Sequence, residues 1–114
     1  MDTLNIKFAK DFTRKPGPRK MGEGVNSGEE LRVKLLAYVK DAISNNKRIV
    51  IDLDGVLGYG TSFLEEMFGG LIRNDHVPYD ELDKRLSFIS NEEPFLIDDI
   101  KTYLKRADEW EKQS

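Results

Sequence analysis

Asp52 and Asp54 stand two residues apart at the end of the apolar run Ile49–Leu53, and Gly55 follows at once. An aspartate nucleophile with an acid/base aspartate two residues on can move a phosphoryl group, and alternate residues of a strand project to the same side. That chemistry also needs a Ser or Thr and a Lys to hold the phosphoryl group, and later acids to hold magnesium. Asp98 and Asp99 are the acids on offer. A second candidate lies downstream, where Thr61 and Ser62 open a helical pattern. A phosphoryl group at an exposed helix start is favoured by the helix dipole, although Glu65 and Glu66 oppose it here. Ser62 also reads as the N-cap of that helix, with Glu65 closing a capping box.

A third candidate is basic. Five of the eleven residues from Lys10 to Lys20 are Lys or Arg. Arg14, Arg19 and Lys20, with Ser27 at a helix N-terminus behind them, could hold an anion or an acidic partner. The interspersed Gly17, Gly22 and Gly24 match neither a Walker loop nor a dinucleotide fingerprint. The plainer reading is a flexible, solvated, glycine-rich loop over residues 10–26. His76 is the single histidine and cysteine is absent, so His76 reads as a turn residue and neither a metal nor a cofactor is expected.

Bulk properties narrow the classes. A chain of 114 residues fits one domain over residues 1–114. Its residues are 39% hydrophobic and 34% charged, a balance that folds and stays soluble. No apolar run approaches the roughly 20 residues of a membrane span, and MDTLNIKFAK lacks a signal-peptide core, so a cytoplasmic location is expected. A net charge of −3 does not argue for a nucleic-acid binder, although the charge is unevenly spread and the basic loop is locally cationic, so nucleic acid is not the expected partner.

The elements that must position these residues follow from periodicity. Leu4 to Phe12 alternates as a first strand near a sheet edge. Ser27, Gly28, Glu29 and Glu30 form a capping box that opens a helix, carried by Leu31, Leu35, Tyr38 and Ala42 to about Ser44. Arg48 to Leu53 is β-branched and apolar, which predicts a central strand covered on both faces. Phe63, Leu64, Met67, Phe68, Leu71 and Ile72 predict a second helix, weakened at Gly69 and Gly70. A short helical turn at Tyr79–Leu82, a strand at Leu86–Ser90 and a helix from Pro94 complete the pattern. Strands alternating with helices predict an α/β layer fold with a parallel sheet of three to five strands.

Two family resemblances compete. Asp-x-Asp-Gly resembles the nucleophile loop of haloacid-dehalogenase-type phosphohydrolases, which would make Asp52 the nucleophile and Asp54 the acid/base of a magnesium-dependent enzyme. Against that, Pro94 and the spacing of Leu96, Ile97 and Ile100 put Asp98 and Asp99 inside a helix's first turns, where carboxylates favour the positive helix end. Only 60 of the 114 residues follow Asp54, short for a complete phosphatase.

Read as a whole, the chain resembles the STAS-like domains, a bacterial domain of unknown function. The segments that carry the resemblance are GPRKMGEGVNSGEELR, RIVIDLDGVLGYGTSFLEEMFGGLIR, and LSFIS with FLIDDIKTYL. The family is distantly similar to anti-sigma-factor antagonists, whose pattern V-x-x-x-D-S-S-G-L carries a phosphorylated second serine. Laid on Val56, it reads Gly60, Thr61, Ser62, Phe63 and Leu64, so Ser62 takes the phosphoacceptor position, while Gly60 and Phe63 depart from the pattern. The resemblance implies a small sheet flanked by helices and a non-catalytic, regulatory protein-interaction module. It implies docking through Gly58, Tyr59, Gly60, Thr61, Ser62, Glu65 and Glu66 to a histidine-kinase-like ATPase or anti-sigma-type partner.

Overall fold

The computed structural model describes all 114 residues, Met1–Ser114. Strands β1 (Thr3–Lys7), β2 (Arg48–Asp52) and β3 (Leu86–Ile89) form one sheet in the order β1-β2-β3. Both pairings are parallel, with Ile6 opposite Ile51 and Ile51 opposite Phe88. β2 is the central strand and β1 an edge, as the sequence predicts. Helix α1 (Gly28–Ser44) links β1 to β2. Helix α2, residues 61–73, runs as Thr61–Leu64, a widened π turn Glu65–Gly69, and Gly70–Arg73. Helix α3 (Tyr79–Arg85) leads directly into β3, and α4 (Phe95–Gln113) closes the chain. The molecule is a mixed α/β domain with helices packed on a three-stranded parallel sheet.

The sheet has one dressed face. Ile6, Ile49, Ile51 and Leu53 are buried there, and Leu4, Leu86 and Phe88 pack on them from the flanks. The helices deliver Leu35, Val39, Phe63, Met67, Phe68, Leu71, Ile100 and Leu104 to the same continuous core. Residues of the opposite parity, Asn5, Lys7, Arg48, Val50, Asp52, Ser87 and Ile89, look the other way. The expectation that β2 is covered on both faces is therefore corrected. Val50 sits between Asn5 and Ser87 in register, touches no part of the core, and belongs to an open face.

The first strand is also shorter than its alternation predicts. It stops at Lys7, and Phe8–Phe12 coil into a wide helical turn. Asp11 Oδ2 accepts the Lys7 amide at 2.8 Å, and the Thr13 amide donates to the Phe8 carbonyl at 2.9 Å. The turn lets Phe8 and Phe12 meet edge to face at 5.1 Å, and places Phe8 5.1 Å from Tyr59 and 6.1 Å from Phe63. At α1 the cap forms as expected on its serine side, Ser27 Oγ accepting from the Glu30 amide at 3.0 Å. The Glu30 carboxylate reaches one residue further back, to the Asn26 amide at 3.2 Å.

Candidate functional site

The turn that leaves β2 is fixed by its own carboxylates. Asp52 Oδ1 accepts the Asp54 amide at 3.0 Å, the two-residue turn that aspartate favours. Asp54 reaches the turn that leaves the neighbouring strand β3, accepting from the Asn91 amide at 2.9 Å, the Asn91 side chain at 3.1 Å and the Glu92 amide at 3.0 Å. The Glu92 carboxylate returns the tie by accepting from the Gly55 amide. Gly55 has φ +82°, a left-handed backbone where glycine avoids the Cβ penalty of other residues. Asp54 thus organises the β3–α4 turn, and Asp98 and Asp99 lie in the opening turns of α4.

Tyr59 pins the next part of the loop from beneath. Its hydroxyl donates to the Leu53 carbonyl at 2.8 Å. Burial, reinforced by Glu93, Asp52, Asp54 and Glu92, pushes the Tyr59 hydroxyl far above its ordinary value, so it stays protonated. Around this anchor the loop is outward-facing: Gly58 and Gly60 are exposed, and Leu57, a large apolar side chain, is 71% exposed.

Helix α2 begins two residues earlier than the Ser-x-x-Glu spacing predicts. Gly60 is the N-cap, with extended backbone at φ −75° and ψ 147°, and its carbonyl accepts the Leu64 amide at 3.1 Å. Thr61 and Ser62 are the first two helical residues, both exposed, and neither hydroxyl makes a hydrogen bond within the chain. The expected Ser62–Glu65 capping box is therefore absent. A helical Ser62 cannot turn its oxygen back on the Glu65 amide, and Glu65 is engaged elsewhere.

What engages it is the basic loop. Arg19 Nη1 lies 2.6 Å from Glu65 Oε1 and 3.4 Å from Glu66 Oε1, and Lys20 Nζ lies 3.3 Å from Glu66 Oε1. From within α2, Arg73 clasps Glu65 with both guanidinium nitrogens, one at 3.0 Å. Burial alone would raise the Glu65 carboxyl, but hydrogen bonds from Arg73 and Arg19 hold it below its ordinary range. The same contacts raise Arg19 further above its already high value, led by its hydrogen bond to Glu65. Glu66 is only 1% exposed, and a carboxylate so buried requires a partner; Arg32 of α1, itself buried, supplies it. Arg32 Nε faces Asp75 Oδ2 at 3.0 Å, off the hydrogen-bond direction.

Of the four anion-binding candidates, Arg19 and Lys20 thus meet carboxylates of their own chain. Ser27 is fully buried as a helix cap, and Arg14 stands exposed with its carbonyl accepting the Leu57 amide at 3.0 Å. The docking candidates Gly58, Tyr59, Gly60, Thr61, Ser62 and Glu65 come together as one loop and helix start, whereas Glu66 is buried beneath it and offers no docking surface. Sequence reasoning missed Arg32, Arg73, Asp75 and Glu92. Arg73 lies eight residues beyond Glu65, outside the three- and four-residue spacings that mark helix neighbours, and the others pair across longer separations.

Residues 27–95 match the family model of the STAS-like domain of unknown function (DUF4325). The chain belongs to this family. No curated protein and no solved structure matches the chain. The matched span of this STAS-like domain starts at the α1 cap, Ser27, and ends at the first residue of α4, Phe95. It holds the whole Leu57–Glu65 surface together with Arg32, Arg73 and Asp75, and leaves out β1 and the basic residues of the preceding loop. No helix of the STAS-like domain is long and apolar enough to cross a membrane.

Proposed function

We propose that this STAS-like domain is a non-catalytic regulatory module that docks a protein partner through Leu57–Glu65 and is switched by phosphorylation at Ser62, with Thr61 as the neighbouring acceptor. One observation carries the reading: Gly60 takes over the capping role, which leaves the Ser62 hydroxyl exposed and free of structural duty. Two others support it. Leu57, in the same loop, offers exposed apolar surface that a docked partner would remove from water. Glu65 and Glu66, whose charges would oppose a phosphoryl group, are already neutralised by Arg19, Lys20, Arg32 and Arg73.

The partner suggested by the resemblance to anti-sigma-factor antagonists is a histidine-kinase-like ATPase or anti-sigma-type protein. In the transfer, Ser62 Oγ loses its proton and forms a bond to the γ-phosphorus of ATP, while the bridging bond breaks and ADP departs. The test is incubation with a candidate ATPase of this class and ATP, followed by mass spectrometry, with a gain of one phosphoryl group at Ser62 expected. Absence of modification at both Ser62 and Thr61 removes the switch. Binding by titration calorimetry tests the docking surface separately: Leu57→Ser should weaken it at least tenfold, about 1.4 kcal/mol, without altering thermal stability.

The rival reading, a magnesium-dependent phosphohydrolase using Asp52 and Asp54, is opposed by the hydrogen bonds that commit Asp54 to the Asn91–Glu92 turn. Asp52→Asn keeps Oδ1 for the Asp54 amide, so it is a clean probe. Phosphate-ester turnover with magnesium that disappears in this variant would establish the enzyme instead. An anion- or nucleic-acid-binding role for the basic loop predicts salt-sensitive binding that weakens when Arg14 and Arg19 are neutralised.

A further inference from the structure

Ser62 precedes Glu65 by three residues and Glu66 by four, so at about 100° of rotation per residue it lies on the helix face between them. That face is where the basic loop is tied down, Arg19 bridging Glu65 and Glu66 and Lys20 meeting Glu66. Four cations, Arg19, Lys20, Arg32 and Arg73, share three carboxylates, Glu65, Glu66 and Asp75, leaving one positive charge in excess. The cations are not equally committed. Arg32 is buried against Glu66 and Arg73 clasps Glu65 twice, whereas Arg19 and Lys20 keep side chains 34% and 48% exposed. These two can leave without stranding a buried carboxylate.

We infer that the loop carrying Arg19 and Lys20 is a phosphate-operated latch, in which a phosphoryl group on Ser62 draws both side chains off Glu65 and Glu66 and onto itself. The inference rests on Ser62 being the acceptor proposed above. A phosphoserine brings close to two negative charges and three acceptor oxygens, and guanidinium binds such a group in two-point fashion. A carboxylate that already has a nearer partner competes poorly. The movement has a path to the docking surface. Arg14, five residues before Arg19, holds the Leu57 amide through its carbonyl, so a shift of the loop is felt at the exposed apolar anchor. Modification and docking are then coupled through the chain itself, in addition to any direct repulsion of the partner.

The test needs no kinase: phosphoserine is inserted at position 62 of the full chain during translation, and the phosphate is titrated by phosphorus NMR. Its second ionisation, ordinarily near about 6, is expected to fall by about half a unit or more through Arg19 and Lys20. The charged cluster that the phosphate would join comprises Arg19 and Lys20 from the loop, Arg32 from α1, Glu65, Glu66 and Arg73 from α2, and Asp75 beyond it; the carboxylates act in the opposite sense. Arg19→Gln with Lys20→Gln should return the midpoint towards the ordinary value, each single variant giving part of the return. Arg48→Gln, on the open sheet face, should leave it in place. A midpoint unmoved by the double neutralisation overturns the latch. Because the phosphoserine is built in, failure of every kinase to modify Ser62 would instead strike the acceptor reading alone.

Discussion

Asp54 accepts three separate N–H groups from Asn91 and Glu92, so Asp54→Ala should cost about 2 kcal/mol, the scale of losing a helix-cap carboxylate and its charged hydrogen bonds. Chemical denaturation measures it, and Asp52→Asn, which retains its accepting oxygen, should fall within about 0.5 kcal/mol of the parent. Glu65 makes a different prediction. Its carboxyl is held below its ordinary 4.5 in the folded chain, so the unfolded chain binds that proton first as pH falls. The contribution of Glu65 is complete above the ordinary value and is lost as pH drops through the depressed one. Thermal midpoints recorded between about pH 3 and pH 6 should therefore fall more steeply for the parent than for Glu65→Gln. A parallel pair of curves would show that Arg73 and Arg19 contribute nothing at this carboxylate.

Within the elements, α2 is shaped by what its glycines admit. A Cβ on Gly70 would sit 2.7 Å from Arg32 Nη1 and 2.8 Å from Arg32 Cδ, and Arg32 cannot step aside without giving up its contact with the buried Glu66 carboxylate. Gly70→Ala should cost about 1–3 kcal/mol in urea unfolding despite alanine's better helix propensity. Gly22→Ala, with open space around it, should change little. This close approach at Gly70 is half legible in the sequence: the glycine pair signals tight packing, but the neighbour is an arginine 38 residues away. The same division runs through the molecule. The α1 cap, the amphipathic stripes of α2 and α4, and the strands at Arg48 and Leu86 rest on local spacing and are read correctly. Asp54's partners lie 37 and 38 residues on, and no spacing near Asp54 announces them. The cap of α2 is not legible in this way, because Ser-x-x-Glu and Gly-Thr-Ser both satisfy the start signal, and only the backbone of Gly60 decides between them.

At the scale of the whole molecule, the sheet separates a packed face from an open one. Ile51→Ala should cost about 2–4 kcal/mol, whereas Val50→Thr, one residue earlier on the open side, should stay within about 0.5 kcal/mol. Equal losses at both positions would mean that something covers the open face in solution. The β-branched run that builds β2 cannot reveal this asymmetry from sequence, because Val50 and Ile51 look equally apolar. The parallel register has one more consequence, and it concerns time. Thr3 pairs with Arg48 and Ile49 pairs with Leu86, so each strand finds its neighbour only after about 40 further residues have been made. At a synthesis rate of about 5–20 residues per second, β1 leaves the ribosome roughly 2–9 seconds before β2 follows it. Helix α1 emerges in that interval, and its 17 residues can close their own hydrogen bonds before β1 has a strand to pair with.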